Sequence, residues 1–246
     1  MLPIVLSLFY AYLAYQKNIA DGFWALGHQL QCTPYGILAI IVGEYMYFTL
    51  YLEYPCLFVI SICTVVYHYG LLLLRINTAL KEKDIFTISE KLAELFIVYN
   101  AIEKKIRFLT QTLSTSLLIL VLICSCNLFT LISYCQGRKL TPFVIFDLCS
   151  IGLTGLLMLF SLTVSCSRIP EYMMRIKATA DILMDNHVLS DLECSKSMNL
   201  LKRFAKKDPI YLTAGGILNF KKRFLLSAFG TLFTYGLLIL NINRIS

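Results

Sequence analysis

The chain has 246 residues, 58% of them hydrophobic and 15% charged, with a mean hydropathy of +0.71. That composition excludes a soluble domain and, with several runs long enough to cross a bilayer, predicts an all-α, polytopic transmembrane helical bundle. The net charge of +7 reports topology rather than nucleic-acid binding: of 22 Lys and Arg, seven lie between Arg75 and Arg107 and eleven between Arg168 and Arg223, the two long polar segments.

The opening residues, MLPIVLSLFYAYLAY, lack a basic leader and a small-residue cleavage pattern, so they read as a membrane helix rather than a signal peptide. A polar linker with the single tryptophan, Trp24, follows. Two apolar runs then adjoin, Tyr35 to Leu52 and Pro55 to Leu74. Either a tight turn at Glu53-Tyr54-Pro55 joins two helices, or one long helix is kinked by Pro55. Residues 1–74 thus form an N-terminal membrane segment with its number of spans open.

From Leu71 to Gln136 there is neither glycine nor proline. Thr87-Ile-Ser-Glu90 reads as a capping box. Beyond it Ile88, Leu92, Leu95, Tyr99, Ile102, Ile106 and Leu109 make a coiled-coil-type stripe that runs on into the span Thr112 to Cys135. One helix of roughly 48 residues would measure about 72 Å, more than twice the hydrocarbon thickness. The excess, within residues 75–110, is expected to project as an amphipathic cytoplasmic stalk that needs something to pack against. Residues 111–166 form a transmembrane hairpin whose second arm is Phe143 to Cys166.

Residues 167–222 are a second cytoplasmic helical segment, striped by Met173, Ile176, Ala180 and Leu183. Asp208-Pro209 marks a break and Gly215-Gly216 a turn or close-packing point. No strand pattern is visible. Lys and Arg collect on the inner side of membranes. Both long polar segments are therefore expected in the cytoplasm, with the short link QGRKLTP and the C-terminus outside.

No enzyme, metal or cofactor constellation is present: His28, His68 and His187 are scattered over three segments. Cys56, Cys63, Cys124, Cys126, Cys149 and Cys166 lie in apolar runs and read as small hydrophobes, and Cys32 and Cys135 as free thiols rather than a disulfide. Ionisable residues inside spans usually face a cavity or a partner. The candidates are Glu44, Glu53, His68 and Asp147. Glu44 and His68 sit among aromatics in GEYMYF and VYHYG, which makes Glu44, Tyr45, Tyr47, Tyr67 and His68 candidates for a ligand cleft. The plainer reading is an interfacial aromatic belt.

Residues 223–246 are the final span. Lys221, Lys222 and Arg223 form a basic collar before an apolar run from Phe224 to Leu240. Within it Ser227, Gly230, Thr231, Thr234 and Asn241 fall at offsets of 0, 3, 4, 7 and 14, one small or polar stripe on a helix. The plainer reading of that stripe is close helix packing, with Ser and Thr bonding their own helix carbonyls.

Gly230, Thr234-Tyr235 and, five residues later, Asn241-Ile242 resemble the closing signature of arthropod gustatory receptors. There a Thr-Tyr pair is followed by five mostly apolar residues and Gln-Phe; here Asn stands for Gln and Ile for Phe. The resemblance covers roughly Tyr35 to the end in architecture and is sharp in residues from Ile210 onward. It implies a subunit of a ligand-gated, non-selective cation channel in taste perception, multi-pass in the plasma membrane, opened by a small-molecule tastant. It also implies a homo- or hetero-tetramer with related subunits, gathered by a cytoplasmic helical anchor around a pore. Ser227, Thr231, Thr234, Leu238 and Asn241 would then line that pore, the last three near the constriction. No nucleic acid and no cofactor are implied. Family members are longer and have seven spans, so a truncated receptor fragment without activity of its own is an alternative, as is a transporter subunit.

Overall fold

The computed structural model describes residues 2–17, 34–81, 89–134, 142–188 and 195–245. Helix α1 (Leu2–Lys17) packs on α2 (Pro34–Phe48), with the rings of Tyr10 and Phe48 5.1 Å apart. A π-helical turn, Thr49–Glu53, carries α2 directly into α3 (Tyr54–Lys81). Of the two possibilities around Pro55, one long helix is the outcome. Proline has no N–H to offer and its ring presses on the preceding turn. Widening that turn, so that the Tyr54 N–H donates to the Thr49 carbonyl, lets the chain continue past Pro55 instead of folding back.

Helices α4 (Ser89–Tyr134) and α5 (Pro142–Val188) have 46 and 47 residues, each about 70 Å long at helical rise. Thr87 and Ile88, and with them most of the expected capping box, lie outside the described residues. Among the described residues three helices are long and apolar enough to cross a membrane: Tyr35–Lys81, Glu90–Ile132 and Leu148–Asp185.

The core is a seam between these long helices. Helices α3 and α5 run parallel, and the α3 side of their seam steps by heptads: the Cys63 thiol donates to the Ser161 carbonyl at 3.7 Å, Gly70 faces Tyr172, and Asn77 pairs with Thr179. On α5 the buried set Leu159, Leu162, Cys166, Ile169, Met173, Ile176 and Ala180 alternates spacings of three and four, the knobs of a coiled-coil seam, and passes Pro170 without a break. Helix α4 runs antiparallel to α5, with Leu131 against Gly152 and Cys124 against Gly155. Gly155 is buried beside the Cys124 backbone, where the lack of a side chain lets the two helices approach closely. Cys124 is buried and Cys126 exposed, as their spacing predicts; Cys32 and Cys135 lie outside the described residues.

The stalk stripe is buried as expected at Leu92, Tyr99, Ile102 and Ile106, and half-buried at Leu95 and Leu109. What it packs against is the lower part of α5 and a short amphipathic helix, α6 (Ser195–Ala205). The sequence pattern gave no separate boundary for α6. Its buried face is Ser197, Leu201 and Phe204, with Lys202 and Arg203 outside.

The fold is all-α, as expected, and after the break at Asp208-Pro209 it carries one short exception that the sequence pattern did not show. Strands β1 (Thr213–Ala214) and β2 (Leu218–Asn219) pair antiparallel, Thr213 with Asn219 and Ala214 with Leu218. Two residues per strand are too few for an alternating pattern to register. The glycines are what make the hairpin: Gly215 and Gly216 have φ of 61° and 70°, values that L-residues with a side chain adopt only at a penalty. The Gly215 N–H donates to the Ser114 carbonyl at 2.9 Å and the Gly216 N–H to the Ser114 hydroxyl at 3.1 Å, clasping the tip onto α4. Gly215→Ala is expected to destabilise by about 1–2 kcal/mol from backbone strain alone. It should exceed Gly216→Ala, because Leu118 Cδ2 sits 2.7 Å from the added carbon at 215 and nothing lies within 4 Å at 216. Thermal melts of the two variants test this, and equal losses would contradict it.

Candidate functional site: the closing helix and its mount

Helix α7 (Lys222–Ile245) follows the hairpin. Its start is held firmly. Phe220 is buried and meets Phe224 edge-on at 5.7 Å, and its N–H donates to the Leu212 carbonyl at 3.0 Å. Lys222 Nζ bonds both Glu171 oxygens, at 3.1 and 3.2 Å, tying α7 to α5, and Lys221 lies 4.4 Å above the Tyr211 ring. Through the hairpin, Ser114 ties the same mount to α4.

Beyond this mount most of the described side chains of α7 are exposed. Leu226 is 76% exposed, Phe233 70%, Tyr235 55% and Leu238 54%. The polar stripe is exposed as well, at Ser227, Gly230, Thr231 and Thr234. Its hydroxyls are satisfied within the helix: Thr231 donates to the Ser227 carbonyl at 2.9 Å and Thr234 to the Gly230 carbonyl at 2.8 Å. This is the back-bonding of the plainer reading, and it leaves oxygen lone pairs facing outward. It also joins two motif residues directly. Among the described residues a side chain at Gly230 would meet nothing within 4 Å, so no contact there requires glycine. The side chains of Asn241 and Ile242 lie outside the described residues, so the amide of the motif has no structural account here.

The ligand-cleft candidates are not gathered. Because α2, the π turn and α3 make one rod, Tyr47 and Tyr67 are twenty residues apart on it, about 30 Å at helical rise. Tyr67 and His68 are exposed, as is Tyr45, and Glu44 and Tyr47 are half-buried. Tyr47 lines a narrow cavity with Tyr51, Asn127, Ser150, Thr154 and Met158. At about 10 Å³ it approaches the size of one water, too small for a tastant. Glu53 sits half-buried in the π turn, and the side chain of Asp147 lies outside the described residues.

A polar cluster that the sequence pattern did not single out lies in the stalk. Glu103 is buried on α4 and accepts hydrogen bonds from Lys207, just past α6, and from Arg107 at 2.9 and 3.1 Å. Burial pushes the Glu103 carboxyl up, but the bonds from Lys207 and Arg107 outweigh it and hold the group below its ordinary value. Burial, and then the Glu103 charge, raise the neighbouring Tyr99 hydroxyl, which stays protonated. The available signal was position: Glu103 is four residues from Tyr99 and three from Ile106, a carboxylate on the buried face of the stripe. Among the described residues no three His, Cys, Asp or Glu are grouped to hold a metal ion.

No family model matches the chain, and no curated protein matches it.

Proposed function

We propose that the chain is a gustatory-type chemoreceptor subunit, part of a ligand-gated, non-selective cation channel of the plasma membrane. The observation that carries this reading is α7: a mostly apolar helix, anchored at its first turn and with most of its described side chains beyond Leu225 exposed, among them a stripe of small and hydroxyl residues. Apolar surface of that extent calls for cover by lipid or by other subunits. In a tetramer the stripe of Ser227, Thr231 and Thr234 would turn to the central axis, with Leu238 and Asn241 below or above it, and Leu226 and Phe233 to lipid or neighbours. The Thr-Tyr signature at Thr234-Tyr235 supports the same reading. The two Lys- and Arg-rich segments would lie in the cytoplasm and the C-terminus outside.

A tastant acts by binding the open form better than the closed one. The mount joins the base of α7 to α4 through Ser114 and to α5 through Glu171, so a shift of those helices would reach the pore helix through short polar contacts. The test is whole-cell current from cells expressing the chain, alone and with a full-length receptor of the same type, under a mixed tastant panel. We expect tastant-dependent cation current whose conductance or selectivity changes in Thr234→Val and Asn241→Ala, with surface expression intact. Absence of current in both settings, despite surface expression, would sink the channel reading.

A further inference from the structure

Between the polar ends of α3 and α5 lies an open cleft of about 370 Å³, with Asn77, Lys81, Arg175 and Thr179 as its polar lining and Ile182 and Leu183 beside them. The Thr179 hydroxyl donates to Asn77 Oδ1 at 2.9 Å in the buried seam. That bond occupies the acceptor end of the amide and leaves its NH₂ group as a donor. The Arg175 guanidinium lies over the Tyr172 ring at 5.7 Å, which limits where it can point. Neither Lys81 nor Arg175 has a carboxylate within ion-pair distance among the described residues. Asp181 and Asp185, farther along α5, do not line the cleft. Lys81 complements the C-terminal dipole of α3, but no helix end accounts for Arg175 in the interior of α5. Among the described residues the cleft therefore combines two cations outside any ion pair with a fixed amide donor and no carboxylate in its lining. Those are the groups that hold phosphate oxygens.

Depth narrows the source. The register is set by α5, whose apolar part, Phe143 to Cys166, is long enough to cross a hydrocarbon core of about 30 Å. Arg175 follows Cys166 by nine residues, about 14 Å further on. That is beyond the phosphodiester layer, where phosphates borne on a sugar ring reach. We infer that the cleft binds a multiply phosphorylated anion, carried either on an inositol-type lipid of the inner leaflet or on the free sugar phosphate. The inference rests on the membrane-crossing part of the function proposed above and not on channel activity.

The full chain is titrated with inositol trisphosphate and with inorganic phosphate in detergent. In phosphatidylcholine nanodiscs it is challenged with phosphatidylinositol bisphosphate or phosphatidylserine. Saturable binding of inositol trisphosphate, or of the bisphosphate lipid in preference to phosphatidylserine, is expected. Lys81→Gln and Arg175→Gln should each weaken it about fivefold and the pair about thirtyfold, the scale of basic residues at anionic lipid surfaces. The charge-keeping pair Lys81→Arg and Arg175→Lys should retain binding, and Lys91→Gln, an exposed cation on α4, should leave it unchanged. Lipid binding alone assigns the site to the membrane, and soluble binding alone to a free metabolite. Undiminished binding in the double Gln variant, or equal loss in Lys91→Gln, overturns the inference. A chain that does not enter nanodiscs counts against the membrane reading, while the detergent titration still decides the cleft.

Discussion

Phe204→Ala is expected to lower stability by about 3–5 kcal/mol, the usual range for emptying a large aromatic site. Phe204 is 1% exposed near the end of α6, and its ring meets Phe96 at 5.0 Å and Tyr99 at 5.3 Å, both edge-on. Arg203 also lies over the Phe96 ring at 5.2 Å, so alanine would leave a void in a closely packed aromatic cluster. The loss should be local before it is global. Helix α6 has 11 residues, too few to persist without tertiary contacts. Its amides should therefore exchange early, with α4 and α5 protected until later. Hydrogen exchange of the purified chain reads this out, and Phe204→Leu should recover part of the protection. Unchanged protection of α6 in the alanine variant would mean that Leu201 and the following loop hold it instead.

Lys207→Met tests the polar half of the same junction. The Glu103 side chain is 9% exposed, Lys207 29% and Arg107 59%. Removing Lys207 leaves a buried carboxylate with only an exposed, solvent-screened partner. A loss of about 1.5–3 kcal/mol is expected, the range for a hydrogen bond to a charged group. The pH dependence gives the sharper signature. Folding depresses the Glu103 value, so its contribution is present above the unfolded carboxyl value and is lost as pH falls through the depressed folded one. Without Lys207, burial is opposed by Arg107 alone, so the acid-side decline should begin at higher pH than in the unmodified chain. Melting temperatures across the acid range measure it. An acid limb that does not move would show that Arg107, not Lys207, holds the charge.

Much of this chain was legible without coordinates. Hydrophobic period placed the long helix α4 and the lower stripe of α5, because the stripe from Leu92 to Leu109 and the one from Met173 to Leu183 repeat at coiled-coil spacing with no glycine or proline within them. Asp208-Pro209 announced a break and Gly215-Gly216 the turn, since proline and positive-φ glycine act locally. The stripe on α7 was likewise visible, being a matter of spacing within one helix.

Only the tertiary structure decided what those elements meet. Whether Pro55 ends a helix depends on whether a widened turn can absorb it, and the π turn at Thr49–Glu53 does so. That one choice set Tyr47 and Tyr67 at different levels of a single rod and divided the expected cleft. The pairing of Glu103 with Lys207 spans 104 residues, and that of Asn77 with Thr179 spans 102. Spacing along one segment carries no information about partners so distant, because loop closure and register fix them only when the helices pack. Period and punctuation determined the helices; the packing of α3, α4 and α5 determined which of their polar residues became a clasp, a cleft or a solvated face.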